Sequence, residues 1–138
     1  RETYYFGGAS DYPVHELGKI KLAAPTCYDQ WFPEVSRICA LNGAEFIIYP
    51  TAIGSEPDQP GLDSMDAWQT AMRGQAITSQ VYVAAANRTG EEAVRFYGSS
   101  FICDPMGRVL AQASRDRTEV IMADLDPDLF TVWRSTFG

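Results

Sequence analysis

Histidine and lysine are nearly missing from this chain: His15 stands alone, and Lys19 and Lys21 are the only lysines in 138 residues. One histidine and no CxxC pair leave no credible zinc set, because a zinc site draws several Cys or His donors at close spacing. The three cysteines, Cys27, Cys39 and Cys103, are odd in number and give no disulfide framework, so a reducing, cytosolic setting is expected. Cations are outnumbered, and the formal charge of −7 has the wrong sign for a nucleic-acid surface. The same sign is compatible with a cationic substrate. No apolar run reaches the roughly 18 residues that cross a bilayer, and no signal-peptide pattern opens the chain. Arg1 stands where an initiator Met would, so the natural N-terminus is expected further upstream. What is present, 46% hydrophobic and 21% charged, is the composition of an ordinary globular protein sized for one domain or part of one.

The most informative stretch runs from Ala24 to Glu34, Ala-Pro-Thr-Cys-Tyr-Asp-Gln-Trp-Phe-Pro-Glu. An apolar run from Ile20 leads into Cys27, and Pro33 suits the first turn of a helix. This reads as strand, sharp turn and helix with a thiol at the turn. A thiol so placed is exposed at a sheet edge, close to a helix N-terminus whose positive end favours the reactive thiolate. Placement alone leaves Cys27 open between a nucleophile and one more buried small residue.

Along the chain, Tyr4–Phe6 is a short aromatic run and Gly7–Gly8 a flexible break. Pro13–Leu17, bearing His15, and Lys19–Ala24 read as two strands joined at Gly18. Pro33–Leu41 has near-helical apolar spacing (Val35, Ile38, Cys39, Leu41) and stops at Asn42–Gly43. Phe46–Tyr49 and Val81–Ala86 are continuous apolar runs, as in strands buried on both faces. Thr51–Leu62, rich in Pro and Gly, is loop. A helix capped by Asp63 or Ser64 runs to about Gln80, with Met65, Trp68, Met72, Ala76 and Ile77 along its core side. Asn87–Val94 reads as polar loop, Tyr97–Cys103 as strand, and Asp104–Gly107 as a turn into a strand over Arg108–Ala113. Glu119–Leu125 reads as a last strand, and Pro127 to about Thr136 as a helix. Cys39 and Cys103 sit among apolar residues and are expected in the core. The alternation predicts an α/β fold with a mixed sheet.

Several motifs carry a family resemblance. Cys27-Tyr-Asp-Gln-Trp-Phe-Pro-Glu34, Gly43-Ala-Glu45, Tyr49-Pro-Thr-Ala-Ile-Gly-Ser-Glu-Pro57, Ala86-Asn-Arg88, Phe96-Tyr-Gly-Ser-Ser-Phe101 and Asp104-Pro-Met-Gly107 together resemble the nitrilase (carbon–nitrogen hydrolase) superfamily, and within it the N-carbamoylputrescine amidase branch. The resemblance covers nearly the whole chain and makes Cys27 the favoured nucleophile. It implies an α-β-β-α sandwich of the nitrilase type, of which residues 1–138 would be an incomplete, C-terminal part lacking also the terminal tail. It implies homo-oligomers formed through helical faces, and hydrolysis of a small ureido or amide substrate without metal or organic cofactor.

That chemistry uses a Glu–Lys–Cys set. The backbone N–H of Tyr28 lies where the family places an oxyanion donor. Lys19 and Lys21 precede Cys27 on its own strand, and at about 3.3 Å per residue even Lys21 starts roughly 20 Å away. The resemblance therefore implies that the catalytic Glu and Lys lie upstream of this chain, which alone would be inactive and poorly soluble. Glu34 suits the helix dipole and reads as structural. Glu56 is expected at the same sheet edge as Cys27, either pairing with the distal ammonium of a carbamoylated diamine or simply solvated. Asp29, Gln30 and Trp31 are further candidates for the substrate pocket, Trp31 more as packing. Two departures from related sequences are Pro25, which lacks an N–H before the nucleophile, and Gly7–Gly8 in place of Pro-Gly.

Two rival classes remain. One is a non-catalytic interaction subunit or degenerate paralogue that keeps the sandwich. The other is a Cys–His hydrolase, which requires His15 beside Cys27.

Overall fold

The computed structural model describes residues 11–137. The Tyr4–Phe6 run and the Gly7–Gly8 departure lie outside them. Six strands form one mixed sheet: β1 (Val14–Leu17), β2 (Ile20–Ala23), β3 (Phe46–Thr51), β4 (Tyr82–Asn87), β7 (Phe101–Cys103) and β8 (Val109–Gln112), in that spatial order. The central strands β2, β3 and β4 are parallel; the others join antiparallel. Parallel neighbours need crossovers, supplied by helices α1 (Pro33–Leu41) and α2 (Met65–Ser79). The three C-terminal strand ends therefore open on one edge. A short hairpin, β5 (Thr89–Glu91) and β6 (Arg95–Tyr97), stands apart from the main sheet, and α3 (Pro127–Phe137) closes the described chain.

Local chemistry accounts for the helix ends. Pro33 opens α1, and Gly43, at φ 98°, makes the left-handed exit after it. Gln80 closes α2 with φ 56° and donates its N–H to the Ala76 carbonyl. From α1, Val35 and Cys39 face inward, whereas Ile38 and Leu41 are exposed. From α2, Trp68, Met72 and Ala76 are fully buried. They pack on alternate residues of the sheet, Ile47, Tyr49, Val83, Ala85, Phe101 and Cys103, forming one core. As expected, Cys39 and Cys103 belong to it.

Five sequence expectations are corrected. Phe46–Tyr49 and Val81–Ala86 are not buried on both faces, because α1 and α2 cover only one; on the other face Tyr82 is buried, but Phe46, Ile48 and Ala84 are only half-buried. Ile77 is exposed rather than core. Tyr97–Cys103 is two strands, not one, since Gly98 (φ 51°) and Ser99 (φ 57°) break the extension. A Cβ on Gly98 would lie 2.6 Å from the Arg115 carbonyl oxygen, so the break leaves no room for a side chain. Residues 87–94, read as loop, contribute β5 and the end of β4. Finally, 119–125 forms no strand: half-buried Ile121, Ala123 and Leu125 alternate with exposed Val120 and Met122, but no strand pairs with them among the described residues. Period-two apolarity is there, and the ladder is not.

Candidate active site

The site grows from the end of β2. The ladder to β3 runs through Ala23, opposite Ile47, so Pro25 lies beyond it and removes no ladder bond. Pro25 is buried, and the chain then turns into a single 3-10 helix over Cys27–Trp31 before α1 begins. The sequence reads here as strand, sharp turn and helix, and the structure gives the turn a helical form. Its first backbone bond runs from the Asp29 N–H to the Thr26 carbonyl (2.8 Å), and Asp29 Oδ2 accepts the Thr26 N–H (2.9 Å). Acidic residues at the third helical position favour this closure. The N–H of Tyr28 precedes the first of these bonds, at the donor-rich end of the turn.

Cys27 is half-buried, with φ 22°, one of only four side-chain-bearing residues at positive φ among those described. For an L-residue that region is strained. Strand, strained cysteine and short helix together make an elbow that holds the thiol at the sheet edge.

The neighbouring candidates separate. Tyr28 is exposed and meets Phe32 edge to face at 5.4 Å between ring centroids. Trp31 packs partly against the core. Gln30 points inward: its side chain is 1% exposed, accepts from the Thr51 hydroxyl (2.9 Å), and its carbonyl accepts from Gln75 Nε2 (2.8 Å). Gln30 is thus committed to the scaffold instead of an open pocket wall. Asp29 remains half-buried and shares with His15, Thr26, Ala24 and Tyr12 the wall of a cavity of about 360 Å³ beside the turn. His15 itself is opposite Leu22 in the β1–β2 register, well before Cys27, so the two are not paired as a Cys–His hydrolase requires. Lys21 lies against Gly43, and Lys19 lines a separate cavity with Phe46 and Phe130. Neither meets the turn. Glu34 is exposed in the first turn of α1.

Glu56 lies in the loop that follows β3, and β3 pairs in parallel with β2, so the loop leaves the sheet on the Cys27 edge. The loop is anchored. Gly54 bridges Phe96 so closely that a Cβ would meet the Arg95 carbonyl oxygen at 2.3 Å, and the Ser55 N–H donates to that oxygen at 2.9 Å. Beyond it a cleft of about 830 Å³ opens, lined by Ser55, Asp63, Glu91, Arg95, Tyr97 and Arg115. Arg115 forks onto Asp63 at 2.8 and 3.1 Å, which, with the Met65 N–H, holds that carboxyl below its usual range. Burial pushes the Tyr97 hydroxyl up to about 12, and the charges of Asp63 and Glu56 act in the same direction. Glu56 is exposed and is not among the residues that line this cleft. Among the described residues no three His, Cys, Asp or Glu side chains converge as a metal-ligand set. No described helix is long and apolar enough to cross a membrane.

Three residues here had no assigned role in the sequence reading: Thr51, Gln75 and Asn87. The available signal was a polar residue ending or interrupting an apolar run, as Thr51 and Asn87 do at the ends of β3 and β4.

A family model described as carbon-nitrogen hydrolase matches residues 1–135. The chain belongs to the carbon–nitrogen hydrolase family. It is 39% identical to N-carbamoylputrescine amidase of Arabidopsis thaliana, matched over 100% of this chain and 50% of that protein. It is 43% identical to a citrullinase of Francisella tularensis, over 91% and 46%. Its fold superposes on the crystal structure of a carbon–nitrogen hydrolase from Helicobacter pylori with TM-score 0.89 and 34% identity, covering 99% of this chain and 50% of that one. The chain thus spans about half the length of the curated relatives it matches. It shares the mixed α/β fold of the nitrilase superfamily.

Proposed function

We propose that this chain is the nucleophile-bearing part of a carbon–nitrogen hydrolase domain acting on a small ureido compound, N-carbamoylputrescine in the first instance. The observation that carries the reading is the elbow at Cys27, where a strained, half-buried thiol ends a parallel strand and begins a helical turn. Ligands of open α/β sheets gather at such carboxyl edges.

In this reading the Cys27 sulfur attacks the carbamoyl carbon. The oxyanion that develops is met by the Tyr28 backbone N–H, whose role is independent of its side chain. Collapse expels one amine with a proton from a general acid, leaving an acyl- or carbamoyl-thioester on Cys27. Water then cleaves that bond, and a carbamate product decays to carbon dioxide and amine. The base and acid of these steps, a Glu and a Lys by family resemblance, are supplied from outside this chain, which alone is inactive. Asp29, on the wall of the cavity beside the turn, meets the substrate there, and Trp31 packs behind the turn. Glu56 receives the distal ammonium of a carbamoylated diamine, which places the product among polyamine precursors. No metal or organic cofactor takes part. The working protein is a cytosolic homo-oligomer.

A second substrate is favoured by the citrullinase match: the same thiol chemistry opens the ureido group of citrulline. The test is ammonia release from N-carbamoylputrescine and from citrulline by the protein that carries this chain, against its Cys27→Ser variant. Turnover of the diamine derivative, lost on substitution with the fold retained, is the expected result. Full turnover by the variant overturns the nucleophile assignment, and no turnover of either substrate by the unsubstituted protein favours the non-catalytic reading.

A further inference from the structure

The strained backbone at Cys27 persists only where its surroundings over-determine it. The local bonds between Thr26 and Asp29 tie the turn to itself. What ties it to the rest of the fold is a group of buried polar side chains on three different elements.

Gln75, in the middle of α2, donates from Nε2 to the Gln30 carbonyl at 2.8 Å, and its Oε1 accepts from the Tyr49 hydroxyl on β3 at 3.1 Å. Thr51, also on β3, donates its hydroxyl to Gln30 Oε1 at 2.9 Å. Tyr49 is fully buried, Gln75 4% and Thr51 8% exposed. Gln75 shares its helix face with Trp68, Met72 and Ala76, an apolar surface that packing alone would fill with another hydrophobe. An amide buried there costs free energy unless its donors and acceptors are met, and its donor is met by the backbone of the nucleophile turn.

We infer that Gln75 is a positioning residue for Cys27, holding the turn at the sheet edge through the Gln30 carbonyl, with Thr51 securing the same residue from β3. This rests on the reading of Cys27 as nucleophile, but the placement of the thiol is measurable without turnover.

The test compares Gln75→Met, which keeps length and removes both bonds, with Thr51→Val and with Ser79→Ala. Ser79 lies one helical turn beyond Gln75, is equally buried, and bonds Ser36 on α1 at 3.1 Å instead of the turn. For each variant kcat, KM, the melting temperature and the rate of Cys27 alkylation by iodoacetamide are measured. Gln75→Met is expected to lower kcat on the order of 10- to 100-fold, as displaced reacting groups do. KM should stay within about twofold, and the alkylation rate should change. Thr51→Val should act in the same direction and less. Ser79→Ala should lower the melting temperature while kcat and alkylation hold. Unchanged kcat and alkylation in both Gln75→Met and Thr51→Val overturn the inference, as does an equal loss of kcat in Ser79→Ala. If Cys27→Ser retains turnover, the nucleophile reading has failed, and an altered alkylation rate in Gln75→Met still establishes that Gln75 positions the thiol.

Discussion

Asn87 grips the backbone of Ile53 with both ends of its amide: Oδ1 accepts the Ile53 N–H at 2.9 Å and Nδ2 donates to the Ile53 carbonyl at 3.0 Å. Nδ2 also reaches the Gly98 carbonyl at 2.9 Å. One side chain therefore does what a strand would do, joining the end of β4 to the loop that carries Glu56. Asn87→Asp removes both donated bonds and sets a carboxylate against two carbonyls. The expected loss is about 2–4 kcal/mol, read from the urea midpoint at neutral pH, and it should shrink in acid as the carboxyl takes up a proton. An unchanged midpoint would mean that the loop is held by the Gly54–Phe96 bridge alone.

The elbow predicts an inverted order of stability at Cys27. In ordinary backbone a glycine is less stable than an alanine, because it has more conformational freedom to lose. At φ 22° the Cβ is the source of strain. Cys27→Gly should therefore be more stable than Cys27→Ala by about 1 kcal/mol, measured by thermal or chemical unfolding of the two inactive variants. The opposite order would remove backbone strain from the description of the site.

Glu56 is tested by charge rather than by loss of activity. Glu56→Gln keeps shape and hydrogen bonding and removes the negative charge. An exposed ion pair contributes up to about 1 kcal/mol, so KM for N-carbamoylputrescine should rise about fivefold, with kcat little changed. A ureido substrate without a distal cation should be indifferent to the change. Equal effects on both substrates would show that Glu56 does not read the ammonium.

Much of this architecture was legible because local and global signals agreed. Pro33, Gly43 and the Ser64–Gln80 run mark their helices by propensity and capping, and the helix–strand alternation gives the parallel centre. The edge shared by Cys27 and Glu56 follows from β2 and β3 being neighbours. What was hidden depends on partners distant in sequence. Residues 119–125 have the apolar alternation of a strand, but the alternation does not specify a neighbour. The break at Gly98–Ser99 is dictated by the close approach of Arg115, which nothing local announces. Gln30 shows the same limit at the site: a glutamine beside a candidate nucleophile reads as a pocket residue until Thr51 and Gln75, both remote in sequence, are seen to claim it. The elbow at Cys27 was readable as a placement, and its supports were not.

The core carries a titration that should weaken the fold in alkali. Burial pushes the Cys103 thiol up to about 12 from an ordinary 9.0, with the charge of Asp104 acting in the same direction. Tyr97 moves likewise, from 10.0 to about 12. In both cases the folded chain keeps a proton that the unfolded chain releases sooner. The stabilisation is therefore complete below the unfolded value and is lost as pH climbs toward the folded one. Unfolding free energy should fall from about pH 9 upward, each group adding at most about 1.4 kcal/mol per pH unit once its unfolded form has ionised. Cys103→Ala leaves a small cavity and should be less stable at neutral pH. It has no thiol at this position to ionise, and the other titrating groups are common to both proteins, so its curve should descend less steeply between about pH 9 and pH 10. The two curves should converge there. Curves that stay parallel through that interval would show that Cys103 keeps the same proton affinity folded and unfolded, and that its neighbours in the core do not exclude water.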